Sequence, residues 1–229
     1  IYSWFCANIV SMHFGKTVTM LISSPQKRRH LQTKELGIKI NDGQSDHALN
    51  QASDLKYLGI TLDQCMNFNE HVSNIVKKIS KAIGILKFCR FLPKPVLLNL
   101  YNSIVLPHFD YCSSIFYPTS SRNVVRLQRL QNRAMRVILS ASPHHHIEDM
   151  LNDLKWMSVK QRFVFNHLVF MWKIVNQRVP NYLSSQVSYV QNVHGYSTRS
   201  NSNHDIFIGN YHKNSLFNAG ARLWNSLPL

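Results

Sequence analysis

The stretch "KYLGITLD", Lys56–Asp63, is where the chain changes character. Its Tyr-Leu-Gly-Ile run reads as the tight end of a buried strand. A polar turn follows at once, "QCMNFNEH", and then a long basic helix. A glycine at 59 either lets the backbone approach something closely or accommodates a bulge.

Upstream of Lys56 the pattern is that of short strands. "WFCANIVSM" has mixed periodicity and reads as the end of a helix, broken at His13-Phe14-Gly15. "KTVTMLIS", Lys16–Ser23, is β-branched and apolar and reads as a strand. "SPQKRRH" reads as a basic turn. "ELGIKINDGQ" offers a short strand ending in the turn signal Asn41-Asp42-Gly43, and "LKYLGITLD" is the next strand.

From Asn69 the period becomes helical. Val72, Ile75, Val76, Ile79, Ile83 and Leu86 recur at steps of three and four. Lys77, Lys78, Lys81, Lys87 and Arg90 lie on or beside the other face. Pro93 and Pro95 end that helix, since proline cannot continue the hydrogen-bond ladder. "VLLNLYNSIVL" is a second helix stopped by Pro107, and "HFDYCSSIFYP" a buried connector or helix ending at Pro118. "SPHHHIEDMLNDLKWMS" is a turn and a short helix. "VKQRFVFNHLVFMWKIVNQ" is apolar nearly all round, as a central core helix would be. After Pro180 the chain turns polar, and "SLFNAGARLWNSLP" reads as a short terminal helix. The class is therefore α+β, mainly α.

The third clear helix, "RNVVRLQRLQNRAMRVIL", follows a cap at Ser120 or Ser121. At about 100° per residue, Arg122, Arg126, Arg129, Arg133 and Arg136 fall in one arc. Val124, Leu127, Leu130, Ala134 and Ile138 fall opposite. No acid interrupts the segment. A charge run is often only a solvated face, but five like charges in a row repel one another at i,i+4 spacing. A phosphate backbone along the row would relieve that repulsion.

Composition points the same way. The 229 residues are 45% hydrophobic, enough for a real core, and carry 26 Lys+Arg against 11 Asp+Glu, a formal net charge of +15. Such an excess calls for a polyanion. Cys6, Cys65, Cys89 and Cys112 are too far apart for a zinc-ribbon or redox motif. Reduced thiols in an intracellular protein, nuclear or cytoplasmic, are expected. No apolar run is long enough to cross a membrane, and the first residues make a poor signal peptide. A chain opening on Ile1 and closing on "WNSLPL" reads as a fragment of something longer.

Other clusters carry less. Consecutive His144, His145 and His146 cannot all reach one ion without a strained turn, and Glu148 and Asp149 more simply begin the next helix. Asp110 reads as a structural or capping residue. Phe163, Phe165, Phe170 and Trp172 read as core, and with Ile75, Ile79, Ile83, Leu127, Leu130 and Leu168 they complete the expected helical interior. No internal repeat and no nucleophile-elbow pattern is present.

In order, "YLGITLD", "HVSNIVKKISKAIGIL", "LYNSIVLPHFDYCSSIFYP" and "VVRLQRLQNRAMRVI" resemble the carboxyl-terminal part of reverse transcriptases of non-LTR (LINE-type) retrotransposons. "WFCANIVSMHFGKTVTMLI" resembles the segment after that family's catalytic strands. Trp4, Asn8, Lys16 and Thr17 match its pattern, Val10 and Met12 stand for leucines, and His13 replaces an Asn. "YSTRSN" and "GARLWNSLP" resemble the distal region.

The resemblance implies an end of palm over 1–64, a thumb-like helical region over 65–142 and a helical extension over 143–229. Tyr57, Leu58 and Gly59 would belong to a hairpin similar to the primer grip. Lys77, Lys81 and the five arginines would hold a template–primer duplex of RNA and DNA. Lys16 would be either a proton donor assisting loss of pyrophosphate or a solvated lysine at a strand start. The family's Mg²⁺-holding carboxylates lie on a Tyr/Phe-Ala-Asp-Asp strand. No adjacent Asp pair occurs here, so the expected role is nucleic-acid binding beside an upstream polymerase domain, with no metal held in this chain. Two other readings stand beside it, an unrelated basic helical module that binds nucleic acid or protein, and a decayed element copy.

Overall fold

The computed structural model describes residues 2–31, 36–116, 120–193, 205–209 and 215–228. "YSTRSN" therefore lies outside the described residues, as do Pro118 and the start of "ELGIKI". The chain divides into two compact units, Ile1–His71 and Val72–Leu229.

The first unit is built from short pieces. Helix α1 (Tyr2–Ala7) leads to a 3-10 turn at Phe14–Lys16, whose entry is tied by the Thr17 hydroxyl donating to the His13 carbonyl at 3.0 Å. Strand β1 (Val18–Thr19) pairs in parallel with β4 (Asn50–Gln51). Strands β2 (Lys39–Asn41) and β3 (Asp46–Ala48) form an antiparallel hairpin. Its turn is held by Asp42, which accepts the Gln44 and Ser45 backbone N–H groups at 2.8 Å each and bonds His47 Nε2 at 2.7 Å. The His47 hydrogen bond and these backbone bonds hold the Asp42 carboxyl down at about 2. The His47 ring also stacks on Phe14, with centroids 3.9 Å apart.

Three expectations are corrected here. "KTVTMLIS" contributes only two residues of strand: its partner β4 is equally short, and the Ser23 N–H leaves the ladder to bond the Gln64 carbonyl at 2.9 Å. "SPQKRRH" is not a turn but helix α2 (Pro25–Leu31). Pro25 suits the first helical position, where its missing N–H would be unpaired anyway, and Ser24 Oγ accepts the Lys27 N–H at 3.4 Å. "LKYLGITLD" is not one buried strand. It is a hairpin of β5 (Asp54–Tyr57) and β6 (Ile60–Asp63), closed by Leu58 and Gly59 with φ of 45° and 85°. Two left-handed residues in succession match the twist of paired strands, and glycine takes that conformation without a Cβ clash. Gly59 is thus a turn residue rather than a bulge. Tyr57 and Leu58 are 61% and 73% exposed, and Ile60 is the residue that is buried.

Asp63 organises the exit from this hairpin. Its carboxylate accepts the backbone N–H groups of Cys65, Asn67 and Phe68 at 3.0, 3.0 and 2.8 Å. These bonds fix a connector in which Met66 and Phe68 take positive φ. Helix α3 (Asn69–Phe88) follows.

The second unit is helical. After α3 come α4 (Lys94–Ile104), α5 (Leu106–Asp110), α6 (Ser113–Phe116), α7 (Ser121–Leu139), α8 (Ile147–Leu154), α9 (Val159–Val175), α10 (Asn181–Ser184) and α11 (Leu216–Asn225). The prolines open helices more than they close them. Pro95 and Pro107 sit in the first turns of α4 and α5, and α3 ends before Pro93. Glu148 and Asp149 occupy the first turn of α8, favourable to the helix dipole. Ser158 and Gln161 close a reciprocal capping box at the start of α9.

Helix α9 is the hub, packing against α5, α6, α7 and α11. Its buried row is Val159, Phe163, His167, Met171 and Ile174. Phe163 meets Phe116 edge-on, with centroids 5.4 Å apart. Arg162 grips Asp110 through two bonds of 2.5 and 2.6 Å, and Asn166 bonds both Asp110 and Ser113. Asp110 is therefore structural, as its sequence context implied, and it raises the Arg162 pKa. Ile75, Ile79, Ile83, Leu127 and Leu130 are buried as expected. The all-round burial expected of α9 is corrected. Phe165 is 50% and Trp172 43% exposed. With Leu168, Val169, Trp224 and Leu227 they line an open apolar groove, because the neighbours of α9 cover its other side. Among the described residues no helix is long and apolar enough to cross a membrane.

Candidate nucleic-acid interface

Helix α7 owes its orientation to polar residues as much as apolar ones. Ser120 caps it, its side chain accepting the Asn123 N–H. Leu127, Leu130, Ala134, Met135 and Ile138 are buried. Between them Gln128 accepts the Val159 N–H at 2.8 Å, and Gln131 donates to the Met157 carbonyl at 2.9 Å. Gln128 also donates to Gln131 and Asn132 at 2.8 Å each. This amide cluster staples α7 to the start of α9. Sequence reading missed it. Its signal was Gln128, Gln131 and Asn132 set between the leucines of a helix whose charged residues are all arginine.

With that face held, the arginines turn outward. Arg122, Arg129 and Arg133 are exposed, and Arg126 and Arg136 half-buried. Among the described residues none of the five pairs with a carboxylate. Arg126 instead donates to Ser73 Oγ at 3.2 Å and to Asn123 Oδ1 at 3.3 Å. Ser73 stands on α3, and a spacing of four puts Lys77 and Lys81 on its face, both exposed. At the other end Lys87, Arg90 and Phe91 line one cleft with Arg136 and Val137. One hydrogen bond thus ties the beginnings of the two helices, and residues at their ends line one cleft. Among the described residues neither these α3 lysines nor the α7 arginines form an ion pair with a carboxylate.

The remaining sequence-derived residues belong to the first unit. Tyr57, Leu58 and Gly59 form the exposed tip of the β5–β6 hairpin. Lys16 ends the 3-10 turn, exposed, with its backbone N–H on the His13 carbonyl at 3.0 Å. Among the described residues no three His, Cys, Asp or Glu side chains come together in a way that would hold a metal ion.

The chain is similar to three proteins of Drosophila melanogaster. The RNA-directed DNA polymerase from mobile element jockey is 28% identical over 104 residues, 44% of this chain and 11% of that protein. The probable RNA-directed DNA polymerase from transposon X-element is 27% identical over 113 residues, 48% of this chain and 12% of that protein. The corresponding protein from transposon BS is 29% identical over 118 residues, 50% of this chain and 13% of that protein. The matched part is thus a small share of each relative's length. No family model and no solved structure matches the chain. Over about half its length, this chain carries a region related to the RNA-directed DNA polymerases of non-LTR, LINE-type retrotransposons.

Proposed function

We propose that this chain supplies the part of a reverse transcriptase that holds the template–primer duplex, with α3 and α7 acting as a thumb-like surface. The observation that carries this reading is the row Arg122, Arg126, Arg129, Arg133 and Arg136, unpaired by any described carboxylate and flanked by Lys77 and Lys81. A helix face left this cationic costs self-repulsion, which a phosphate backbone relieves. The hairpin tip Tyr57–Leu58–Gly59 serves as a primer-grip-like contact, its small, exposed turn suited to a sugar–phosphate chain. The phosphoryl-transfer carboxylates, with their Mg²⁺, belong to another part of the parent enzyme. Lys16 is a proton donor only when that part is present.

The test is binding of a blunt duplex to the purified chain across a salt series. Affinity should show little sequence preference and fall steeply with salt, by a slope of about −0.9 per neutralised phosphate. Replacing all five arginines with Gln should flatten the slope by several such contacts. An unchanged slope in the fivefold variant would show that the row does not face the nucleic acid.

A further inference from the structure

At their far ends α3 and α7 frame an open cleft of about 780 Å³, lined by Lys87, Arg90, Phe91, Arg136, Ser140 and Pro143 among others. Phe91 is 76% exposed and Phe88 beside it 81%. Phe91 is the aromatic face of the cleft, set beside the cations Lys87, Arg90 and Arg136. Among the described residues no carboxylate lines the cleft. Arg136 is half-buried, and its Nε is enclosed with no hydrogen-bond partner among the described residues.

The walls narrow the choice of ligand. Both are helix C-termini, whose last carbonyls lack intrahelical partners and carry partial negative charge. The Ser140 and Ala141 N–H groups bond the Arg136 and Val137 carbonyls at the α7 end, and the Cys89 and Arg90 N–H groups bond the Ile85 and Lys87 carbonyls at the α3 end; each such carbonyl keeps a second lone pair that can accept from an amino group. An aromatic face, carbonyl acceptors and a guanidinium donor together match a nucleobase. The ring would lie on Phe91, its amino groups would donate to carbonyls, and its ring acceptors would take the Arg136 N–H. Lys87 and Arg90 at the rim would meet the flanking phosphates. Arg136 is also the last member of the arginine row, so the cleft continues that row.

We propose that this cleft takes one unpaired base from the single-stranded end of a nucleic acid whose duplex lies along α7. The inference rests on the duplex-binding reading above for its position, though not for its chemistry. The experiment compares a blunt duplex with the same duplex carrying a short single-stranded overhang, by fluorescence anisotropy on the full chain. The overhang should tighten binding about tenfold, within the range for stacking one base on an aromatic side chain. Phe91→Ala should abolish that preference and leave blunt-duplex affinity and its salt slope unchanged, while Phe91→Trp keeps the preference. Phe91 is exposed, so the truncation spares the fold. Equal affinity for both duplexes, or a preference that survives Phe91→Ala, would overturn the proposal. If the chain bound no blunt duplex, the arginine-row reading would fail separately. A single-stranded oligonucleotide would then decide the cleft, with Phe91-dependent binding supporting it and Phe91-independent binding overturning it.

Discussion

Gly220 shows how much one residue can owe to a distant neighbour. A Cβ built there would lie 2.3 Å from Met171 Sδ, 2.6 Å from Met171 Cγ and 2.9 Å from His167 Nε2. Met171 and His167 are both 0% exposed, and His167 Nε2 donates to the Leu216 carbonyl at 2.9 Å. Neither has room to yield. Gly220→Ala is therefore expected to destabilise the chain by about 1–3 kcal/mol through overpacking, against the roughly 1 kcal/mol that alanine gains in helix propensity. A urea midpoint at or above the parent's would show that α9 and α11 do not cross this closely. "GARLWNSLP" stood out in the sequence, but the reason for its glycine lies about fifty residues earlier in the chain. Tyr57 and Leu58 misled in the opposite sense. A two-residue turn between apolar strands reads as one continuous strand until the positive φ at Leu58 is known.

Among the elements, α7 was the most legible, since a long helix with arginine on one side and leucine on the other repeats its signal at every turn. Helix α9 was misread for want of contrast: its apolar residues go all round, so periodicity could not say which face the neighbours would leave open. The strands of the first unit were too short for alternation to mark their ends. Helix α11 did something no pattern foretold. Asn225 accepts the Ile206 N–H and donates to the Ile206 carbonyl, both at 2.9 Å. One turn pair earlier, Asn218 makes the same two-way contact with Gly209 at 3.1 and 3.2 Å. Two side-chain amides thus stand in for a neighbouring strand, while the other edge of this segment meets Ser188 and Val190. Ile206 is held in a small core with Met171, Ile174 and Ala221. Asn225→Ala would leave both backbone groups of a buried residue unsatisfied, an expected loss of about 1–3 kcal/mol. Amide exchange at Ile206 should accelerate accordingly. Unaltered protection at Ile206 would mean that Asn225 is dispensable to the clamp.

At the scale of the whole molecule, the two units differ in what holds them together. Within Ile1–His71 only Ile60, Gln64, Phe68 and His71 are buried among the described residues, and the three strand pairs have two, three and four residues per strand. Paired segments this short, with little apolar surface removed from water, are marginal by themselves. The hairpin turns are well made, by Asp42 in one and Leu58-Gly59 in the other, but turn chemistry fixes register rather than supplying a core. Within Val72–Leu229 the interior includes Ile79, Leu86, Tyr101, Phe109, Phe116, Leu127, Met135, Phe163 and Met171, each at most 1% exposed. Polar ties such as Arg162 to Asp110 join helices far apart in sequence. Local opening takes less free energy where fewer apolar contacts break. On the full chain, the amides of Thr19 and of Leu55 to Leu62 should therefore exchange sooner than those of Phe163 to Met171. They should also do so through openings that barely respond to low denaturant, since little surface is exposed. If both sets exchanged together, with one common dependence on denaturant, the chain would be opening as a single cooperative body. The β-rich unit would then draw its stability from the helical one rather than from its own few buried residues.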